Sequence, residues 1–267
     1  MDRVAIGDGE LETALLGSGD PVVLVPTALT ADELLPLAER LRARFRVVHY
    51  HRRGYGGSSP ATFPGSIARD ATDCARLLTA LAVERAHVVG VSYSAAVALQ
   101  VAVDHPDVVH TLTLVEPPPV HGSGDAAFRA VAADLLDDRH ARGAAAAAER
   151  FLVSTMGPGW RGQLDGTVPG SSAKVLPDSR TFFDSDVPAL LDWPLGATAA
   201  GRVQCPVLHV AGNEHGALFS GVGDLIRAWL PHAEQVVITG AGHEVALTHP
   251  GALAEVLAPF LARHPVG

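Results

Sequence analysis

Short apolar, β-branched runs alternate along this chain with stretches of helical spacing, and this alternation constrains the fold more than any other feature. "PVVLVP" (21–26), "RVVHY" (46–50), "AHVVGV" (86–91), "VVHTLTLVE" (108–116), "CPVLHVAG" (205–212) and "EQVVITG" (234–240) read as strands. "PVVLVP" is apolar throughout, as a strand covered on both faces of its sheet is. Residues 31–45, 66–83, 93–104 and 250–264 carry helical spacing, with Thr30 placed to cap the first. "RVAI" (3–6) and "LETALLG" (11–17), joined by "GDGE", read as an opening hairpin. Strand–helix alternation implies right-handed crossovers and a mostly parallel α/β sheet flanked by helices.

One stretch breaks the alternation. Residues 117–202 contain helical patterns, the run "AAAAA" (144–148) and a Gly/Pro/Ser-rich section, but no convincing strand. An insertion of this length between two sheet strands is expected to be a lid or cap. The expected organisation is one core, 1–116 with 203–267, and an inserted helical cap, 117–202.

Composition narrows the partners. The formal charge of −9 disfavours a phosphate backbone, and no Lys/Arg cluster offsets it, so no nucleic acid is expected. Lys174 is the single lysine among twenty basic residues and alanine is abundant, the codon bias of a high-GC bacterium. Cys74 and Cys205 stand apart from any metal-binding spacing and read as reduced core thiols. The start "MDRVAIGDGE" is charged, unlike a signal peptide, and no apolar run reaches the ~18–20 residues of a membrane span. A soluble, cytoplasmic monomer or homodimer that acts on a small molecule, without cofactor, metal or membrane, is expected.

The chemistry concentrates at "AHVVGVSYSAAVALQ". Ser92 follows a strand and opens a helix, with small residues two before (Gly90) and two after (Ser94). That is the context of a nucleophile elbow, where strand and helix backbones crowd and the serine hydroxyl projects above the sheet. The bland alternative is a serine capping the helix. In the elbow reading the Tyr93 N–H points at an oxyanion site. His243, in "ITGAGHEVALTHP" between the last strand and last helix, is the candidate base. His87, His105, His110, His140, His232 and His264 lack such context and read as surface residues.

Together these segments resemble the α/β-hydrolase superfamily over essentially the whole chain. The resemblance rests on "VVLVPTALTADEL", "VVHYHRRGYGGSS" (47–59), "GVSYS", "PVLHVAGNEH" (206–215) and "GAGHEVALTHP". Its most specific marker is the Arg53, Gly54, Gly56, Ser58 pattern. The resemblance implies a triad with Ser92 as nucleophile and His243 as base, under a helical cap.

Three departures from the family's pattern stand out. Pro26-Thr27 replaces the usual His-Gly after the third strand. Since proline has no N–H, the resemblance assigns the second oxyanion donor to Ala28, with Thr27 as the other option. His51 stands where relatives carry a structural Asp. The usual acid position, three residues past Gly212, holds His215, with Glu214 one short. Glu116, at the end of the sixth strand in "TLVEPPP", occupies a position that some haloalkane dehalogenases use. Glu116 and Glu214 are thus both candidates. A serine nucleophile, unlike the aspartate of dehalogenases and epoxide hydrolases, favours acyl chemistry on an ester, lactone or thioester. Phe128, Phe151, Trp160, Phe183 and Trp193, with Met156 and Phe182, are candidates to line the pocket or to pack the cap. Rival readings are a repurposed lyase, cyclase or isomerase and a non-catalytic small-molecule-binding protein.

Overall fold

The computed structural model describes residues 1–267. The elements run β1 (Asp2–Ala5), β2 (Glu10–Leu16), β3 (Pro21–Val25), α1 (Leu35–Leu41), β4 (Arg46–Tyr50), α2 (Ile67–Ala80), β5 (Ala86–Val91), α3 (Tyr93–Asp104) and β6 (Val109–Val115). Six helices follow: α4 (Asp125–Arg142), α5 (Ala144–Met156), α6 (Trp160–Thr167), α7 (Ser172–Thr181), α8 (Val187–Leu191) and α9 (Ala197–Ala200). The chain then re-enters the sheet with β7 (Val207–Gly212), α10 (Val222–Trp229), β8 (Glu234–Ile238), α11 (Val245–Thr248) and α12 (Pro250–Ala262).

The eight strands form one sheet in the order β1-β2-β4-β3-β5-β6-β7-β8. β2 runs antiparallel to both β1 and β4, and every other pairing is parallel. Side chains two apart on a strand share a face. Val23 and Val25 therefore join the core under α2, α3 and α10, whereas Val22 and Leu24 join the core under α1, α11 and α12. Burial on both faces explains why these strands are apolar throughout instead of alternating.

The strandless segment supplies most of a third apolar core, with Ala132, Ala147, Ala148, Leu152, Trp160 and Leu164 inside it and Leu29 and Leu247 joining from outside the segment. The alanine run is thus a helical face: Ala147 and Ala148 are buried on α5.

Two expectations are corrected. The first helix begins at Leu35, not at residue 31, and Thr30 does not cap it. A helix through residue 32 would need the N–H of Pro36 to bond the Asp32 carbonyl, and proline has none. Proline fits only the first turn, where Pro36 lies. The Thr30 hydroxyl instead donates to Glu33 Oε2 at 2.7 Å. His87 is also not a surface residue. It is fully buried on β5, between β3 and β6, with Nδ1 2.9 Å from Thr111 Oγ1. Burial pushes its pKa down to about 4, so it stays neutral. Cys74 is buried and Cys205 half-buried, and burial pushes their thiols up to about 12 and 11.

Candidate active site

The turn from β5 to α3 is tight enough to dictate its residues. Ser92 sits at φ +52°, ψ −121°, a conformation that costs a non-glycine residue of order 1–3 kcal/mol. A Cβ on Gly90 would overlap the backbone carbonyl of Ser94, so no larger residue fits there. Ser94 is fully buried, and its hydroxyl accepts the Val91 N–H at 2.8 Å and donates to the Val91 carbonyl at 2.9 Å. It therefore does more than avoid a clash, because it ties the helix start to the strand end. The Ser92 N–H is held by the Val115 carbonyl of β6 at 3.0 Å.

Ser92 Oγ lies 2.9 Å from His243 Nε2. The other ring nitrogen, Nδ1, faces Glu116 Oε2 at 3.4 Å. An ionised carboxylate can only accept, so Nδ1 carries the proton and Nε2 is free to accept from the serine hydroxyl. Glu116 ends β6 with φ +45°, and its N–H bonds the Val210 carbonyl of β7 at 2.9 Å. Its Oε1 accepts the Gly212 N–H at 2.6 Å and His215 Nδ1 at 3.1 Å. Burial would raise its pKa, but hydrogen bonds from His243, Gly212 and His215 outweigh this and hold it below the usual carboxylate value. Burial likewise opposes the imidazolium of His243. The Glu116 hydrogen bond and the charge of Glu244 outweigh it, and the pKa of His243 lies above the ordinary imidazole value.

Glu214, the other candidate acid, is exposed, and its side chain makes no hydrogen bond. Its N–H bonds the Ala241 carbonyl at 2.9 Å, which aligns the loops around His243 but leaves the carboxylate outside. His215, excluded as the acid, donates to the carboxylate instead, and Phe219 from the same loop stacks on the His243 ring at 4.1 Å between centroids. The sequence carried no signal for either contact, since both depend on how the loop after β7 folds back.

The loop after β3 is shaped from below by Arg52. Its Nε donates to the Pro26 carbonyl at 3.0 Å and its Nη2 to the Thr27 carbonyl at 3.2 Å. The same guanidinium makes a two-pronged bond to Asp186 at 3.0 and 2.8 Å, bonds Asp70 at 2.7 Å, and lies 4.4 Å from the Tyr93 ring centroid. Tyr55 Oη accepts the Leu29 N–H at 2.9 Å and donates to Asp186 at 2.5 Å. In a trans peptide N–H and C=O point oppositely, so holding the Thr27 carbonyl on Arg52 turns the Ala28 N–H the other way. The N–H groups of Ala28 and Tyr93 bond nothing else in the chain.

Ser92, Tyr93, His243, Thr27 and Ala28 open on one cavity of about 270 Å³. Of the aromatic candidates, Phe128, Phe151 and Phe182 line it, as does Met156. Trp160, Phe183 and Trp193 do not. Trp160 is buried inside the helical insertion with its Nε1–H on Glu149, and Trp193 turns its Nε1–H onto Gln100 of α3 at 2.7 Å. A buried indole needs an acceptor, and each acceptor draws its ring away from the cavity. Phe183 packs edge-on against Phe182 within the same insertion core. Leu218, Phe219, Glu33 and Glu244 line the cavity and were not foreseen.

A second cluster lies nearby. Donor atoms of Asp32, His49 and His51, all buried, fall within 4.8 Å of one another. His51 already spends both ring nitrogens, on Glu12 and Asp32 at 2.8 Å each, and Lys174 Nζ sits 2.6 Å from the second Asp32 oxygen. With an ammonium in that place the set does not suit a metal ion. His51 bridges two carboxylates and does not reach Ser92, in keeping with a structural role.

The model of the α/β hydrolase fold family matches residues 20–250. The putative carbamate hydrolase RutD of Enterobacter cloacae is 28% identical over 250 residues, 91% of this chain and 92% of that protein. The putative carbamate hydrolase RutD of Azorhizobium caulinodans is 36% identical over 110 residues, 41% of this chain and 42% of that protein, so there the match spans less than half of the relative's length. Among solved structures, a thermophilic esterase from Thermogutta terrifontis superposes with a TM-score of 0.81 at 20% identity, covering 99% of both chains. The chain belongs to the α/β-hydrolase fold family.

Proposed function

We propose that this protein is a cofactor-independent serine hydrolase that cleaves a carbonyl-containing small molecule, an ester, lactone or thioester, through an acyl-enzyme. The 2.9 Å approach of Ser92 Oγ to His243 Nε2 carries the proposal. As Ser92 Oγ bonds the carbonyl carbon, its proton passes to His243 Nε2. Glu116 faces the opposite nitrogen and stabilises the imidazolium that results. The Tyr93 and Ala28 N–H groups, free of other partners, receive the negative charge that develops on the carbonyl oxygen. His243 then gives the proton to the leaving group as the carbonyl–leaving-group bond breaks. Water repeats the sequence on the acyl-enzyme, with His243 again as base, and Ser92 is released with its proton restored. The helical segment 117–202 acts as the cap, with Phe128, Phe151 and Phe182 supplying an apolar surround that displaces water from the reacting carbonyl. Related proteins carry the name putative carbamate hydrolase, and a carbamate presents the same carbonyl electrophile.

Labelling with a fluorophosphonate probe tests this reading. The folded protein should be modified at Ser92, and Ser92→Ala should abolish both labelling and ester turnover. A folded protein that resists the probe would sink the acyl-enzyme mechanism.

A further inference from the structure

The cavity wall holds two carboxyl groups that the reaction above does not use. Glu33, in the turn between β3 and α1, is 6% exposed and spends Oε2 on the Thr30 hydroxyl at 2.7 Å, while its Oε1 bonds nothing in the chain. Glu244 follows His243 directly, is half-buried and lines the same cavity. No Arg or Lys lines this cavity, and its one basic side chain is His243, which is neutral when it acts as a base. The third acid of the wall, Asp186, differs, because Arg52 and Tyr55 already neutralise and saturate it. Most of the remaining lining is hydrophobic and includes the rings of Phe128, Phe151 and Phe182.

We propose that Glu33 and Glu244 form the recognition end of this cavity, for a substrate that carries a protonated amine or quaternary ammonium group alongside its reactive carbonyl. The chemistry of the wall matches that group on two counts. The carboxylates supply countercharge, and aromatic faces attract cations. An anionic substrate would gain no countercharge here and would meet the charge of Glu244, which is discrimination by repulsion. Burial and the neighbouring Glu244 push the Glu33 carboxyl up to about 8, the behaviour of a carboxyl group that lacks a counter-ion. A ligand ammonium supplies one. The formal charge of −9 works in the same direction at longer range by favouring the approach of cations.

The inference rests on the acyl-transfer reading for the place of the carbonyl, but not for the cation site itself, so two measurements separate them. The first compares p-nitrophenyl esters of 4-(trimethylammonio)butanoate, its neutral isostere 5,5-dimethylhexanoate, and glutarate as the anionic monoester. kcat/KM should favour the cationic over the neutral ester by about tenfold or more, equivalent to roughly 1.4 kcal/mol, and the anionic ester should be the poorest. In the E33Q/E244Q variant the cationic-to-neutral ratio should fall towards one. Taken within one variant, that ratio cancels any loss of folded enzyme or of catalytic power. The second measurement titrates Ser92→Ala with benzyltrimethylammonium and with phenylacetate by calorimetry. The cation should bind and the anion should not, and binding should be lost on adding E33Q/E244Q. Turnover of the neutral ester without a cation preference, or a ratio unmoved by the double variant, overturns the cation site and leaves the hydrolase standing. Absence of ester turnover with carboxylate-dependent cation binding overturns the hydrolase and leaves the cation site.

Discussion

Replacing Arg52 by Met should destabilise the fold by about 3–5 kcal/mol, the usual cost of removing one partner of a buried ion pair. Met keeps much of the aliphatic stem but removes the guanidinium, which is 3% exposed and makes five hydrogen bonds. What remains is worse than a cavity: Asp70 and Asp186 both face the vacated charge, and Asp70 already lies above its usual pKa because of burial and the charge of Asp186, despite Arg52. Without Arg52 the Asp70 carboxyl shifts further up, so the folded state binds a proton that the unfolded state does not. Stability of the variant is therefore lost as pH rises from the ordinary carboxylate value through the raised folded one, and the penalty relative to the parent should be largest at pH 7–8 and shrink towards pH 4–5. Urea denaturation across that range reads it directly, and a scan should show Tm lower by roughly 6–15 °C at neutral pH. Arg52→Met with Asp186→Asn should recover part of the loss, since one stranded charge is gone. A penalty below about 1 kcal/mol, or one indifferent to pH, would refute the reasoning.

Glu116→Gln should lower ester kcat/KM by about tenfold or more, whereas Glu214→Gln should leave it unchanged. Because the Glu116 hydrogen bond is the leading cause that raises the His243 pKa, and the base must be neutral, the acid limb of the kcat/KM profile should begin above the ordinary imidazole value in the parent and move to lower pH in Glu116→Gln. Gly90→Ala should cost about 1–3 kcal/mol by overpacking, seen in denaturant midpoints, and should depress fluorophosphonate labelling because the Cβ forces β5 away from the Ser94 carbonyl.

The strands were legible in the sequence to within a residue or two, because a central strand shows as an apolar run whatever covers it. The elbow was legible for a local reason: the crowding that demands Gly90 and a small residue at 94 arises within five residues. The helix after β3 was misplaced because its apolar spacing continues through residues 31–34, while one backbone group, the missing N–H of Pro36, decides where it starts. The pocket aromatics were legible only in part. Phe128 and Phe151 reach the cavity, but where Trp160 and Trp193 point is settled by acceptors 11 and 93 residues away. No spacing rule reports such contacts.

The choice between Glu116 and Glu214 was open in the sequence for the same reason, and local backbone geometry places the two carboxylates differently. The loop after β7 approaches the His243 loop so closely that a Cβ on Gly212 would overlap the Ala241 carbonyl. At that distance the Glu214 backbone is consumed in pairing with Ala241, and its side chain is turned out. The carboxylate that His243 faces comes from the end of the strand next to β7. Glu116 stands at φ +45° and turns its carboxylate to His243, while the end of β7 and the loop after it supply donors, the Gly212 N–H and His215. Both occupy Oε1, so Oε2 is left to face His243. Three donors on one buried carboxylate outweigh its desolvation and hold its pKa below the usual carboxylate value, as the proposed role beside His243 requires. The histidine at the family's usual acid position thus supports the proposed role of Glu116: it donates to the carboxylate oxygen that His243 does not face.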